Sequence, residues 1–208
     1  MNIVRQLDLL DGDGLPEGLN YRPDLLTPAQ EIALIARIAD LPFAPFQFHG
    51  FEGKRRTISF GWQYRFDGSG LAQAEPIPDW LLDVRDDAAR FAGVDAAALA
   101  HALIIEYEAG AGIGWHRDRP DFGEVIGISL ASEAPLRFRL KQHLGGGGEK
   151  SGGGRTSGWR RLTLAAAPRS AYHLAGPARD QWEHSILAVP SLRYSITFRT
   201  LRRRGKTS

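Results

Sequence analysis

An α+β fold is predicted for these 208 residues. Two observations predict it. Ahead of Leu103 the apolar residues recur at helical spacing, and from Leu103 onward short β-rich runs alternate with Gly, Pro, Asp and Ser. Helices first and strands after suggest two helices bracing one face of an antiparallel barrel or sandwich.

The first helix is opened by Thr27 as cap with Pro28 in its first turn. Ile32, Ile35 and Ile38 with Ala39 form its apolar stripe, and it stops before Pro42. A second helix follows Pro78, with Asp79 as the expected cap. Trp80, Leu81, Val84, Ala88 and Phe91 form its inner face, and Gly93 closes it. Asp95 to His101 reads as a short helical turn. The strands expected after it are Leu103–Tyr107, Val125–Leu130, Leu136–Leu140, Trp159–Leu164, Ala171–Leu174, His184–Val189 and Leu192–Leu201. Gly145–Gly148 and Gly152–Gly154 mark a low-complexity stretch from Leu144 to Gly158, expected as a hairpin loop: a gate beside a site or a tolerated insertion. No repeat or linker divides the chain, so one domain over 1–208 is expected.

Composition narrows the chemistry. Apolar residues make up 43% and charged residues 24%, and cysteine is absent, so any metal must be held by nitrogen and oxygen. The N-terminal residues carry acids at Asp8 and Asp11 and no long apolar run, and nothing resembles a membrane span. A cytoplasmic protein, monomeric by default, is expected. The net charge is only +2. Lys54-Arg55-Arg56 and Arg202-Arg203-Arg204 with Lys206 could meet phosphates, or form a solvated edge and a basic tail.

His116 and Asp118 are two residues apart, so on an extended chain both project to one side. His184 opens a later strand. Two histidines and a carboxylate can occupy one face of an iron coordination sphere and leave the other open, although zinc accepts the same ligand types. The last strand reads Arg193-Tyr194-Ser195-Ile196-Thr197-Phe198-Arg199. Alternation puts Arg193, Ser195, Thr197 and Arg199 on one face, with the arginines about 20 Å apart, and turns Tyr194, Ile196 and Phe198 into apolar packing. Arginines suit a dicarboxylate ligand; the alternative is an edge strand protected by charge.

In combination these features resemble the AlkB family of iron(II)/2-oxoglutarate dioxygenases. The resemblance runs from about Arg55 to Arg199. It rests on Glu106-Tyr107-x-x-Gly110, His116-x-Asp118, Pro168-Arg169-Ser170, Trp182-x-His184 and the final arginine strand, in that order. It implies a double-stranded β-helix, jelly-roll-like, over 102–201, braced by the N-terminal helices. It further implies iron(II) on His116, Asp118 and His184, with 2-oxoglutarate and O2 as co-substrates. Arg193 would take the distal carboxylate of 2-oxoglutarate, Arg199 would act near the metal-bound end, and Tyr107 would hydrogen-bond the co-substrate. Oxidative demethylation of alkylated DNA or RNA bases, such as 1-methyladenine or 3-methylcytosine, is the implied activity. Where the family has asparagines, this chain has Ile105 and Ser195. Where DNA-repair members carry an acid two residues after the metal-binding Asp, it has Pro120, with Asp121 beside it. A protein side chain or small molecule is the alternative substrate.

The family's substrate lid would span 46–75. It holds Arg55 and Arg56 beside Trp62 and Tyr64, basic and aromatic residues suited to a phosphate backbone and a stacked base; plain packing on the barrel is the alternative. Trp115 and Trp182 are expected as wall and packing residues.

Overall fold

A computed structural model describes residues 15–48, 51–65, 70–143 and 157–202. In chain order the elements are β1 (Leu19–Arg22), α1 (Pro28–Ala39), β2 (Ala44–Phe48), β3 (Phe51–Phe60), β4 (Trp62–Arg65), β5 (Gly70–Gln73) and α2 (Leu82–Ala92). The second half contributes β6 (His101–Tyr107), β7 (Ile113–His116), β8 (Phe122–Leu130), β9 (Ala134–His143), β10 (Ser157–Ala166), β11 (Ala171–Leu174), α3 (Gly176–Asp180), β12 (Glu183–Ile186) and β13 (Arg193–Leu201).

A seven-stranded sheet, ordered β1-β11-β8-β13-β6-β3-β2, faces a four-stranded sheet, β10-β9-β12-β7, and β4 pairs with β5 alone. This is the expected jelly-roll-like arrangement, as an open sandwich with no closed barrel. Period-2 alternation in the central strands gives the large sheet two different faces. Its outer face carries Ile104, Ile126, Ile128, Ile196 and Phe198 against Leu34, Ile38, Leu81, Val84 and Ala88 of the helical segments. Its inner face meets the small sheet around Tyr107, Val125, Phe138, Leu136, Tyr172 and Trp182. The two helices therefore brace one side, and the site lies on the other.

The capping box of α1 forms as the sequence suggests: the Thr27 side chain accepts from the Gln30 backbone, and the Gln30 side chain answers the Thr27 backbone. Its apolar stripe differs from expectation. Leu34 and Ile38 are buried, whereas Ile32 is 71% exposed. The inward position at the first turn belongs to Glu31, which accepts from the Ala131 backbone at 2.9 Å and pairs with Arg169 at 3.2 Å. Arg169 adopts φ +67 in the turn before β11 and also reaches Asp24. The Pro168-Arg169-Ser170 motif thus ties that turn to α1. Asp79 does not cap the second helix: a 3-10 turn over Asp79–Leu81 leads into α2 without a side-chain cap. Gly93 does close α2, at φ +71 in the left-handed region. The expected turn near Asp95 is a 3-10 turn over Ala96–Ala98, with the Asp95 side chain accepting from the Ala97 backbone.

The arginine strand is not an edge. β13 pairs with β6 on one side and β8 on the other, and every residue from Arg193 to Arg199 is buried. The strand expected over His184–Val189 is β12, ending at Ile186. β9 and β10 pair antiparallel as a hairpin, and residues 144–156 of the glycine-rich stretch lie outside the described residues. Among the described residues no helix is long and apolar enough to cross a membrane.

Candidate active site

β7 and β12 lie side by side in the small sheet, and their register sets His184 opposite His116. The pairing slips between His184 and Ile186, giving β7 an extra residue at a bulge. The bulge lets Ile113 and His116, three residues apart, both reach the inner cleft. The imidazole centroids are 4.3 Å apart. Asp118 follows in the loop after β7, with Oδ2 3.5 Å from His184 Nε2. The expected trio is therefore brought to one place.

Local hydrogen bonds set the state of each donor. His116 Nδ1 lies 2.9 Å from the Gly114 carbonyl, which can only accept, so the ring donates from Nδ1 and Nε2 is the nitrogen left outside that bond. Burial pulls the His184 imidazole down to about 3, against the opposing pull of Asp118, so it is neutral near pH 7. Burial alone would raise the Asp118 carboxyl, but Arg199 and then His184 and His116 hold it well below the usual carboxylate range. Arg199 makes this explicit, donating from Nε at 3.0 Å and Nη2 at 2.8 Å to Asp118 Oδ1.

Two imidazoles, that of His184 neutral, and one ionised carboxylate, with no sulfur nearby, form a donor set suited to iron(II). Among the described residues no such trio is drawn near enough to close on a metal ion; Asp118 gives Oδ1 to Arg199 and turns Oδ2 toward His184.

The cleft between the sheets has apolar walls from Ile105, Ile113, Val125 and Ile186, with Tyr107, Tyr172, Ser195 and Thr197 as polar lining beside the trio and Arg199. Arg193 is at 0% exposure and stacks on Tyr107, with the guanidinium carbon 4.9 Å from the ring centre. Its Nε donates to Ser129 Oγ at 3.2 Å, but its buried Nη1 has no partner. A buried guanidinium donor without an acceptor is costly. It is what a carboxylate ligand would satisfy, and the residues present therefore fit 2-oxoglutarate.

The four lid residues are not brought together. Arg55 lies opposite Tyr107 on the cleft side of β3, half-buried, and donates to the Gly112 carbonyl at 3.4 Å. Arg56 points to the other face, where it pairs with Glu106 at 2.6 Å and lies over Phe43. This ion pair lies on the helical side, the face opposite Arg55, as strand alternation requires. Trp62 and Tyr64 share a face of β4. The Tyr64 ring is covered by the Arg119 guanidinium at 3.3 Å, one residue past Asp118. Residues 49, 50 and 66–69 of the expected lid lie outside the described residues. Trp182 is buried as packing, whereas Trp115 faces away from the cleft, beside guanidinium groups.

Three functional neighbours escaped the sequence reading. Arg179 of α3, buried, donates to the carbonyls of Arg119, Phe122 and Gly123 at 2.7–2.8 Å and so pins the loop after Asp118. His101, kept neutral by burial and by Arg199, lies 3.4 Å from Arg199 Nη1 and against Phe122. Tyr172 lays its ring across Gly127, where an added Cβ would come within 2.2 Å of the ring. Burial pushes its phenol up to about 12, so it is a protonated hydroxyl. All four residues of β11 are buried, and nothing local says that Gly127, far away in sequence, clears space for the Tyr172 ring.

Two histidines and a carboxylate thus meet in the cleft of an open two-sheet sandwich. The sequence matches the model of the 2OG-Fe(II) oxygenase superfamily over residues 18–199, and the chain belongs to that family. Membership implies iron(II), 2-oxoglutarate and O2. A relative at 27% identity over 124 residues is the probable RNA/DNA demethylase ALKBH6 of Danio rerio. The match covers 59% of this chain and spans about half, 50%, of that relative's length. Among solved structures, OsALKBH1 superposes with TM-score 0.60 at 14% identity, covering 88% of this chain and 96% of that one. A Pseudomonas putida prolyl-4-hydroxylase superposes with TM-score 0.56 at 14% identity, covering 89% and 93%. The AlkB resemblance read from the motifs is borne out.

Proposed function

We propose that this chain is an iron(II)- and 2-oxoglutarate-dependent dioxygenase that oxidatively demethylates N-alkylated bases in DNA or RNA. The observation that carries the enzyme class is the buried Arg193 Nη1 without a partner, its guanidinium stacked on Tyr107, which lines the cleft with His116, Asp118 and His184. The likeness to an RNA/DNA demethylase supports the substrate class.

His116, Asp118 and His184 would hold the iron. Held there, iron(II) with 2-oxoglutarate and O2 would supply the oxidising chemistry, hydroxylation of a C–H bond with succinate and CO2 as the co-products. An N-methyl group so hydroxylated sheds formaldehyde. The residues of the chain do the rest. The Gly114 carbonyl fixes the His116 ring, and Arg199 orients Asp118 and keeps it ionised. Arg193, set against Tyr107 and Ser129, presents its open nitrogen to the distal carboxylate. Ile105, Val125 and Ile186 keep the walls apolar, which strengthens each of these charge interactions.

The test incubates purified protein with iron(II), ascorbate, 2-oxoglutarate and a single-stranded oligonucleotide bearing 3-methylcytosine, measuring succinate and demethylated base together. Joint formation of both, lost in His116→Ala, is expected. Succinate without demethylation would move the substrate to a protein side chain or small molecule. Neither product from folded, metal-loaded protein would overturn the enzyme assignment.

A further inference from the structure

The expected basic and aromatic interface on the lid is largely spoken for: Arg56 by Glu106, the Tyr64 ring by Arg119. A different surface has that chemistry. In the small sheet, the register that turns Phe138, Leu140, Leu162 and His184 inward turns Arg137, Arg139, Lys141, Trp159, Arg161 and Trp115 outward. These residues form one ordered patch. Arg137 and Arg139 flank Trp115, with guanidinium carbons 4.8 and 4.5 Å from its ring centre, and Arg139 also lies 4.3 Å from the Trp159 ring centre. Ser185 and Glu183 on β12 hold the two arginines from below, at 3.1 Å and 2.5 Å. Trp159 remains 38% exposed, and Lys141 and Arg161 are exposed and make no ion pair among the described residues.

Tryptophan rings and guanidinium groups alternate here as a ladder across three strands. Ordinary edge protection would scatter charges; it would not interleave them with two large aromatic rings or fix their orientation. Along β9, Arg137, Arg139 and Lys141 recur every second residue, about 6.7 Å apart, a step that an extended phosphodiester backbone can follow. Among the described residues of this face, four cations meet a single acid, Glu183, which is already engaged by Arg139. Cations in a row with exposed aromatic rings between them suit single-stranded nucleic acid, with phosphates on the cations and bases on the indole. An acidic peptide offers the charge but nothing to stack on Trp159.

We propose that the outer face of the small sheet, built from Arg137, Arg139, Lys141, Trp159 and Arg161, is a binding surface for single-stranded nucleic acid outside the active-site cleft. The inference rests on the nucleic-acid reading of the substrate. Trp115 is adjacent in sequence to His116, and Glu183 to His184, so the patch and the metal trio occupy opposite faces of the same two strands. A bound strand would be held on one face while its end rounds the β7 side toward the cleft.

The test is fluorescence anisotropy with an unmodified, labelled single-stranded oligonucleotide, titrated at several salt concentrations against the full chain. Each cation engaged contributes about −0.7 to the slope of log affinity on log salt for single strands. The double variant Lys141→Ser/Arg161→Ser should therefore lose roughly 1.4 of that slope. Trp159→Ala should weaken binding by roughly tenfold. Both variants should keep wild-type melting temperature and wild-type succinate formation without nucleic acid, showing that fold and site are intact. His116→Ala should bind the oligonucleotide as wild type does. If the oligonucleotide binds but neither surface variant changes affinity or slope, the surface assignment is overturned while the substrate reading stands. If wild type binds a poly-glutamate peptide and not the oligonucleotide, the surface serves an acidic protein and the proposal fails; 3-methylcytosine turnover then decides the substrate separately.

Discussion

Arg193→Met separates a functional arginine from a structural one. In the folded chain this guanidinium is fully buried, donates once to Ser129, stacks on Tyr107 and leaves Nη1 without an acceptor. Its removal forfeits one hydrogen bond and a ring contact, about 1 kcal/mol each, and relieves an unmet buried donor costing about 1–3 kcal/mol. These offset, so the ligand-free variant should melt within about 4 °C of wild type, given roughly 2–4 °C per kcal/mol for a chain of this size. Ligand stabilisation should behave differently. With a redox-inert divalent metal and 2-oxoglutarate at a hundred times its Kd, wild type should gain about 2.7 kcal/mol, or roughly 5–11 °C. Two charge-assisted hydrogen bonds to the distal carboxylate, at about 1.5–3 kcal/mol each, imply at least a hundredfold weaker Kd in the variant. The same concentration then stabilises by at most about 0.4 kcal/mol, a shift of about 1–2 °C. Differential scanning fluorimetry reads both quantities. A variant that melts more than about 10 °C lower without ligand, yet gains the full shift with 2-oxoglutarate, would refute the assignment of Arg193 as the carboxylate partner.

Gly127→Ala should lower the melting temperature, because its Cβ would press within 2.2 Å of the Tyr172 ring. Overpacking of this kind costs about 1–3 kcal/mol. Adding Tyr172→Leu should restore much of the loss, and strictly additive effects in the double variant would show that the ring does not lie across Gly127. Acid stability follows from His184. Its folded value, near 3, lies below the ordinary 6.5, so the unfolded chain binds a proton that the folded chain refuses. The metal-free protein should lose stability as pH falls below about 6.5 and continue losing it to about 3, with Asp118 adding loss of the same sign at the acid end. Denaturant midpoints across that range check it, and His184→Gln should flatten the profile. Arg56→Gln should cost at most about 1 kcal/mol, because its partner Glu106 is buried but Arg56 itself is nearly half exposed. Succinate formation should stay at the wild-type rate; a collapse would restore Arg56 to the site.

Legibility in the sequence followed the range of the information. Thr27 with Gln30 and Gly93 act within a turn of themselves, so those helix ends could be read directly. The alternation of β13 was equally readable, because one strand carries both the polar row and the apolar row. What the alternation could not say was whether the polar row faced water or a cleft, and only pairing with both β6 and β8 decides that. Ile32 misled because an apolar residue at helical spacing looks inward, whereas Arg169 and the Ala131 backbone, both distant in sequence, reward Glu31 for facing in. Arg56 was grouped with its basic neighbours, yet adjacent residues on a strand face opposite ways, and the residue awaiting it was Glu106 on another strand. The roles of Arg179 and Tyr172 depend on carbonyls and a glycine contributed by β8 and the loop before it, and carry no local signature.

The division of β13 constrains how this chain can vary over generations. Tyr194, Ile196 and Phe198 serve the helical side; Ser195, Thr197 and Arg199 line the cleft, and Arg193 of the same row stacks on Tyr107 of its wall. Point substitutions can drift along one row without disturbing the other. A single inserted or deleted residue exchanges the rows, burying guanidinium groups among Leu34, Ile38 and Val84 while aiming a phenylalanine at Asp118. Length changes are therefore barred from this strand, and lineages of such a protein must place them in the connections.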